Sequence, residues 1–159
     1  MAIYMEYEGV KGNSTTDGFK DMIVLDSCSF GASRNITIPH RALTSREASE
    51  PALSEITVSM SMASHSAKMF NESVASDLKN KVLIHFTTTT ANKVTEYLLV
   101  TLTNVGLSHY SLSAGHDGIP VESAVLNYDT IQTKFTPMDP GVSGSPETVG
   151  YDLTQMKTM

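Results

Sequence analysis

The chain has 159 residues, of which 40% are hydrophobic and 18% charged, with one cysteine and no tryptophan. A chain of this length can bury a core without metal or disulfides, and we expect one domain over residues 1–159. The single cysteine, Cys28, excludes an intrachain disulfide framework. The net charge of −6 and the lack of a strong basic cluster disfavour nucleic acid and anionic membranes as partners, and no apolar run is long enough for membrane insertion.

The first half of the chain predicts β-strands from its alternation of apolar and polar residues. A short strand fits residues 2–8, and a second fits 22–31. In the second strand Met22, Val24, Cys28 and Phe30 share one predicted face, opposite the face of Ile23, Leu25, Ser27 and Ser29. Segment 54–62 alternates most clearly, with an apolar face formed by Ile56, Val58, Met60 and Met62.

One stretch has a helical period instead. Over residues 65–79 the apolar side chains recur at spacings of three and four, at Ala67, Phe70, Val74 and Leu78. We therefore predict one helix, with Ser64 or Ser66 capping its start and Asn80 in the left-handed position after its end. Its apolar stripe is expected to cover one end or edge of the sheet structure.

The second half predicts further strands at residues 82–90, 94–104, 121–136 and 148–153. Residues 91–93, Ala-Asn-Lys, favour a hairpin between the first two of these strands. The expected fold class is mainly β, an antiparallel barrel or sandwich of two sheets with one flanking helix.

Four segments have the composition of loops, at residues 9–20, 34–51, 111–120 and 137–147. The 34–51 segment is the longest, and within it Pro39 and Pro51 bracket a charged stretch. Long irregular segments in compact domains are usually functional or disordered. We interpret this one as an arm that reaches a neighbouring subunit, with a floppy loop as the alternative.

Catalytic and metal-binding patterns are weak. The five histidines lack zinc-site spacing; His85 is expected to be a satisfied strand residue and His65 to be exposed. His109, His116 and Asp117 form only a poor ligand set, and Ser143 lacks the spacing of a nucleophile elbow. Cys28 is expected to be a buried, inert thiol. No enzyme activity and no cofactor are therefore predicted.

Seven segments, taken in order along the chain, form a recognisable combination: the start at residues 1–12, Ser27–Ser33, Arg46–Ser49, Ser54–Val58, Glu96–Leu102, Glu122–Tyr128 and Val149–Asp152. Together they resemble the Hcp family, the haemolysin-coregulated tube proteins of bacterial type VI secretion. The chain departs from the family pattern at Tyr151, where tryptophan is usual, and at Ala63 and Ser66-Ala67, where an aspartate and a Ser-Pro pair are usual.

The resemblance implies a closed antiparallel β-barrel with one helix, and six copies in a ring. It also implies rings stacked into a hollow tube inside a contractile sheath, with a spike protein at the tip and small effector proteins carried in the lumen. Assembly in the bacterial cytoplasm followed by export through the same machine fits the N-terminal residues, which lack the pattern of a secretory signal.

A ring needs two different complementary patches on each subunit. We expect strand edges and the arm to form them, with Arg41 and Arg46 pairing with Glu47 and Glu50 across the contact. Small side chains suit a lumen wall that must not hold its cargo tightly, and Ser27, Ser29 and Gly31 are the candidates. The alternatives are a monomeric β-sandwich that binds a ligand through the 111–120 loop, and a small hydrolase.

Overall fold

The computed structural model describes residues 1–37, 47–90, 93–137 and 145–159. Alternating apolar residues produce antiparallel strands over most of these ranges, with one helix between the eighth and ninth strands. The elements in chain order are β1 (Ala2–Tyr7), β2 (Ile23–Leu25), β3 (Ser27–Ser29), β4 (Ala32–Ser33), β5 (Ile36–Thr37), β6 (Glu47–Ala48), β7 (Ala52–Leu53), β8 (Ile56–Ser61), α1 (Ser66–Ala75), β9 (Asn80–Thr90), β10 (Lys93–Ser113), β11 (Val121–Asn127), β12 (Thr130–Phe135), β13 (Glu147–Asp152) and β14 (Lys157–Thr158).

Two antiparallel sheets share the long strand β10. In sheet A the order is β2-β1-β9-β10-β12-β13-β14, and in sheet B it is β10-β11-β8-β3. Asp26 alone separates β2, at the edge of sheet A, from β3, at the edge of sheet B. The two sheets are therefore connected at this point as well as through β10. The predicted fold class, a mainly β barrel or sandwich with one flanking helix, is confirmed.

The strand predicted at residues 121–136 is divided into β11 and β12. Both pair with β10 on the same side, Leu107 opposite Leu126 and Leu102 opposite Ile131. Between them, Asn104 adopts a positive φ of 51° and donates from its amide to Asp129 at 2.9 Å. Asparagine tolerates this left-handed conformation, so β10 bends here and passes from one sheet to the other.

A similar change of sheet corrects the predicted faces of residues 22–31. Before Asp26 the odd-numbered residues Ile23 and Leu25 are buried, whereas after it Ser27 and Ser29 are exposed. The reason is that β2 pairs with β1, while the Asp26 N–H already donates to the carbonyl of Ser59 in β8. The chain turns between the two sheets, and the buried side changes with it.

The core lies between the sheets. It is formed by alternate apolar side chains of both sheets together with one helix residue, and includes Met5, Tyr7, Ile23, Ile56, Val58, Met60, Met69, Val82, Ile84, Val100, Leu102, Leu126 and Ile131. Met62, predicted on the same face as Met60, lies beyond the end of β8 and is exposed. The predicted half-buried character of segment 54–62 is otherwise confirmed.

The helix differs from its prediction in length and orientation. It spans Ser66–Ala75 rather than residues 65–79, its N-cap is His65 without a side-chain cap bond, and Leu78 rather than Asn80 takes the left-handed conformation. Asn80 instead begins β9. Met69 is the helix residue that enters the core. The predicted stripe of Ala67, Phe70, Val74 and Leu78 is exposed, because periodicity defines a stripe but not the direction in which it faces.

Part of the 34–51 segment is β-structure rather than loop. β4 pairs with β7 and β5 with β6, so that residues 32–37 and 47–53 form a narrow two-stranded ribbon. Arg34 Nε donates to the carbonyl of Ser49 at 2.7 Å and fixes the register. Residues 38–46, with the predicted Arg41 and Arg46, lie outside the described residues, as do residues 91–92 of the predicted hairpin turn and 138–144 of the fourth predicted loop, with Ser143.

Candidate functional site

The outward face of sheet B carries an aligned row of hydroxyl side chains. Strand register places Ser27 opposite Ser59, Ser59 opposite Ser123, and Ser123 opposite Ser111. The hydroxyls of Ser27 and Ser59 lie 2.6 Å apart and form a hydrogen bond. We call these four residues the serine row; they cross all four strands of the sheet.

The residues beside the serine row are also mostly small or polar. On one side of it Ser29 is opposite Thr57, and Thr57 is opposite Val125. On the other side Ser61 is opposite Val121, and its hydroxyl donates to Asp26 at 3.2 Å. We call this outward side of sheet B the serine face. It offers short hydroxyls and few charges, so it can contact a passing surface without binding it strongly.

Sequence reasoning found part of this face. The predicted lumen residues Ser27 and Ser29 are exposed on it, whereas Gly31 lies beyond β3 at the base of the ribbon, where its N–H donates to Ser54 Oγ at 2.8 Å. The prediction missed Ser111 and Ser123, and it recorded Ser59 only as a polar strand residue. Alternation in the sequence was the available signal, but the cross-strand register that aligns these serines depends on tertiary pairing.

Both margins of sheet B are open among the described residues. β3 pairs with β8 alone, and residues 106–113 of β10 pair with β11 alone because β9 ends its pairing at Val105. Exposed edges of this kind present unpaired backbone donors and acceptors, which other strands can bind. The serine face therefore lies between two strand edges.

The predicted interface arm is described in part. Most of its described ribbon residues are exposed, and Ile36 is 59% exposed, whereas Leu53 is half-buried against the core. Glu50 is exposed in a cleft of about 410 Å³ whose wall also includes Arg34, Tyr151 and Lys157. The backbone of Glu47 belongs to β6. The pairing of these acids with Arg41 and Arg46 stays a prediction.

A buried polar cluster lies on the opposite side of sheet B from the serine face. Glu122 is fully buried in β11, and its carboxylate lies 3.1 Å from His65 Nε2 and accepts a hydrogen bond from Tyr110. The prediction that His65 is exposed is therefore wrong. The polar residues around His65 in the sequence gave no signal of its burial, because its partner lies 57 residues away in the sequence.

Burial sets the protonation state of this cluster. Desolvation lowers the pKa of His65, and the Glu122 charge opposes that effect only in part. Neutral His65 then donates from Nε2 to Glu122, while its Nδ1 has no partner in the described structure. Burial, followed by the contact with Glu122, raises the pKa of Tyr110, so this phenol stays protonated and donates. The contact between His65, at the start of α1, and Glu122 of β11 joins the helix to sheet B.

The remaining candidate chemical groups have ordinary strand or loop settings. His85 lies in a strand as predicted and contacts Glu96 through Nδ1, but its buried Nε2 has no partner in the described structure, so the prediction of a satisfied histidine holds only in part. Cys28 is half-buried rather than fully buried, and burial raises the pKa of its thiol to about 11. His109, His116 and Asp117 are exposed. Within the described ranges no three potential metal ligands come together.

Comparison with known proteins identifies the class. The family model described as type VI secretion system effector, Hcp, matches residues 4–135. Among solved structures, one described as a type six secretion system protein is 21% identical, covers 99% of both chains and superposes with a TM-score of 0.88. Hcp1 from Salmonella typhimurium is also 21% identical over 99% of this chain and 98% of its own, with a TM-score of 0.76.

A more distant likeness, with a TM-score of 0.57 and 13% identity, is to the tube-terminating cap of the anti-feeding prophage, over 84% of this chain and 88% of that one. No curated protein matches the sequence. At these identities the solved structures establish the fold. The family match covers most of the chain.

The protein is thus a structural β-protein of a secretion machine rather than an enzyme. The chain belongs to the Hcp family of type VI secretion systems, whose members are secreted tube proteins. In the ranges that the structure covers, α1 is too short and too polar to cross a membrane.

Proposed function

We propose that six copies of this chain form a ring whose bore is lined by the serine face, and that rings stack into the inner tube. The chain from 1 to 159 acts in it as one tube-subunit domain. The observation that carries the proposal is the serine row between two open strand edges. The expected partners beyond the chain itself are a spike protein at the tip, a contractile sheath, and small effector proteins in the lumen.

Strand direction supports joining of the two edges. β10, β11, β8 and β3 are successively antiparallel, so a sheet of four strands ends with edges that run in opposite directions. The β10 edge of one copy therefore meets the β3 edge of the next as an ordinary antiparallel pair. Because these edges differ, the contact is heterologous and repeats until the rotation closes.

Closing the ring in this way extends the serine row around the bore. Ser111 of one copy and Ser27 of the next lie at the two margins of the same row. A continuous belt of hydroxyls would hydrogen-bond water and make only weak contacts with a folded effector. Such a surface suits a wall along which cargo is first shielded and later released.

The arm supplies contacts to neighbouring copies in this proposal, both within a ring and between stacked rings. Most described residues of its ribbon, 32–37 and 47–53, are exposed, and a pair of such short strands is marginal in water without a partner. Charge pairing of Arg41 and Arg46 with Glu47 and Glu50 would fix the register of the contact. Rings would assemble in the bacterial cytoplasm and leave through the secretion machine.

Size-exclusion chromatography with light scattering tests the ring. We expect a mass near six times 17.2 kDa, and particles with a central hole in negative-stain images. A monomer at all concentrations, with no hole in any particle, would refute the proposal and favour the ligand-binding module.

The lumen assignment has a separate test in Ser29→Trp. We expect rings of unchanged mass that no longer co-purify with small effectors of the same secretion system, since six indoles would narrow the bore. Ser145→Trp is the matched control, because Ser145 is exposed outside the serine face. Loss of the ring in Ser29→Trp, or unchanged effector binding, would contradict the assignment.

A further inference from the structure

The outer side of α1 and the residues after it carry an apolar stripe that nothing in the described chain covers. Phe70, Val74 and Leu78 are 56%, 68% and 62% exposed, and successive members are four residues apart. We call these three residues the α1 stripe. Three large apolar side chains exposed together are typical of a protein contact.

We propose that the α1 stripe packs against the next copy of this chain in the ring, on the surface formed by Cys28 and Phe30. This inference rests on the proposed ring and names a surface that holds it together. The occupant is thus a second copy of the chain and not another protein. Three observations support this proposal: the position of the α1 stripe beside β10, the small area of the edge contact, and the side of sheet B on which Cys28 lies.

The α1 stripe lies alongside the open edge of β10. The Phe70 ring meets the Tyr110 ring edge-on at 6.0 Å. The Leu78 side chain covers Gly106 so closely that an added Cβ would lie 2.0 Å from it. Gly106 and Tyr110 both belong to the stretch of β10 that has one strand neighbour. The stripe and the unpaired edge therefore form a single continuous surface.

The area of the edge contact alone is too small. β3 has three residues, and at about 3.3 Å per residue its edge is roughly 10 Å long. A stable interface buries on the order of 1,000 Å² or more in total. Backbone pairing over so short an edge cannot provide this, so the contact needs apolar surface directly beside it. The α1 stripe is such a surface.

The opposite edge presents apolar side chains on the matching side of the sheet. Ser27 and Ser29 belong to the serine face, so Cys28 between them points to the other side, and Phe30 directly follows the last residue of β3. That other side also holds Tyr110 of β10, which contacts Phe70 of α1. It holds Glu122 of β11 as well, which bonds to Tyr110. Phe30 is 41% exposed and Cys28 half-buried. Joined edges would bring the stripe over these two residues.

The first test compares Val74→Asp with Ile119→Asp by light scattering across a dilution series. Both positions are strongly exposed, at 68% and 69%, but Ile119 lies in the loop between β10 and β11. We expect Val74→Asp to raise the concentration at which rings dissociate roughly tenfold or more, because a carboxylate would be buried at every contact. Ile119→Asp should dissociate like the wild type.

The outcomes separate the two proposals. Wild-type protein that forms no rings refutes the proposed function itself. Wild-type rings with the same dissociation concentration in Val74→Asp overturn the α1 stripe inference and leave the ring intact. Far-UV circular dichroism of Val74→Asp shows whether the subunit is folded, and if it is not, Val74→Ser replaces it in the same comparison.

The second test identifies the surface that the stripe contacts. In a Cys28→Ser background, Phe30→Cys with Val74→Cys is treated with a short bis-maleimide and examined on a denaturing gel. We expect a ladder of covalent species up to the hexamer, and none from Phe30→Cys with Ile119→Cys. A ladder absent from the first pair in intact rings, or equal in both pairs, would overturn the assignment to Cys28 and Phe30.

Discussion

At the scale of single residues, Glu122 has the most demanding environment in the described structure. A fully buried carboxylate is costly unless several donors satisfy it, and here Tyr110 and His65 do so from two different elements. Since His65 is also the N-cap residue of α1, the contact that satisfies the carboxylate also joins the start of the helix to sheet B.

The lowered pKa of His65 makes stability depend on pH. Because the folded state holds His65 neutral, its contribution is complete above the ordinary pKa of 6.5 and is lost as the pH falls toward the lower folded value. We expect acidification from pH 7.5 to 5.5 to lower the free energy of unfolding more in the wild type than in His65→Gln. Urea unfolding measures this.

The control for that experiment is His109→Gln, at an exposed position on β10. It should retain the full pH dependence of the wild type. Equal pH dependence in His65→Gln and the wild type would show that His65 does not couple folding to protons.

At the scale of elements, the ribbon formed by β4–β7 and β5–β6 has little internal support among the described residues. Its strands are two residues long, and its hydrogen bonds are exposed, including those of Asn35 N–H to Ser49 Oγ and of Arg34 to Ser49 O. An element of this kind adds little to the core. Its presence is better explained by a contact outside the subunit.

Deletion of residues 40–50 tests that contact. We expect soluble monomers or rings that do not stack, because the deletion removes the arm and leaves β8 and the core strands in place. Negative-stain images and light scattering measure the result. A second variant replaces the same residues with a Gly/Ser segment of equal length, which keeps the chain length but removes the side chains of the arm. We expect this variant to fail to stack as well. Normal stacking in the deletion would contradict the arm hypothesis.

At the scale of the whole molecule, the two sheets differ in size and in what their edges flank. Sheet A has seven strands and ends in β2 and β14, whereas the four-stranded sheet B has two open margins that flank a polar face. A monomer gains nothing from such exposed edges, since they invite uncontrolled pairing. The proposed ring pairs both margins of sheet B, so neither of these two edges is left exposed.

This argument predicts that stability rises with concentration. Because assembly stabilises only the folded state, the melting temperature of the wild type should increase as the protein is concentrated, by a few degrees per tenfold step. Val74→Asp should show a flatter dependence. Differential scanning calorimetry at two concentrations measures it, and a wild-type melting temperature that does not move with concentration would contradict assembly.

The sequence by itself determined the β class, the approximate positions of the strands and the existence of one helix, since alternation and helical period are local properties of the chain. It also singled out Ser27 and Ser29 as candidates for an exposed polar face. The resemblance of its segments indicated the family. Segment 54–62 was predicted almost correctly because its pattern matches its burial residue by residue.

Tertiary structure alone decided which residues meet. The change of buried side at Asp26, the alignment of Ser27, Ser59, Ser123 and Ser111, and the burial of His65 against Glu122 all depend on pairing between distant segments. The same holds for the outward direction of the α1 stripe. Local periodicity cannot specify these features, because register, sheet changes and the side on which a helix packs are fixed by contacts between residues far apart in the chain.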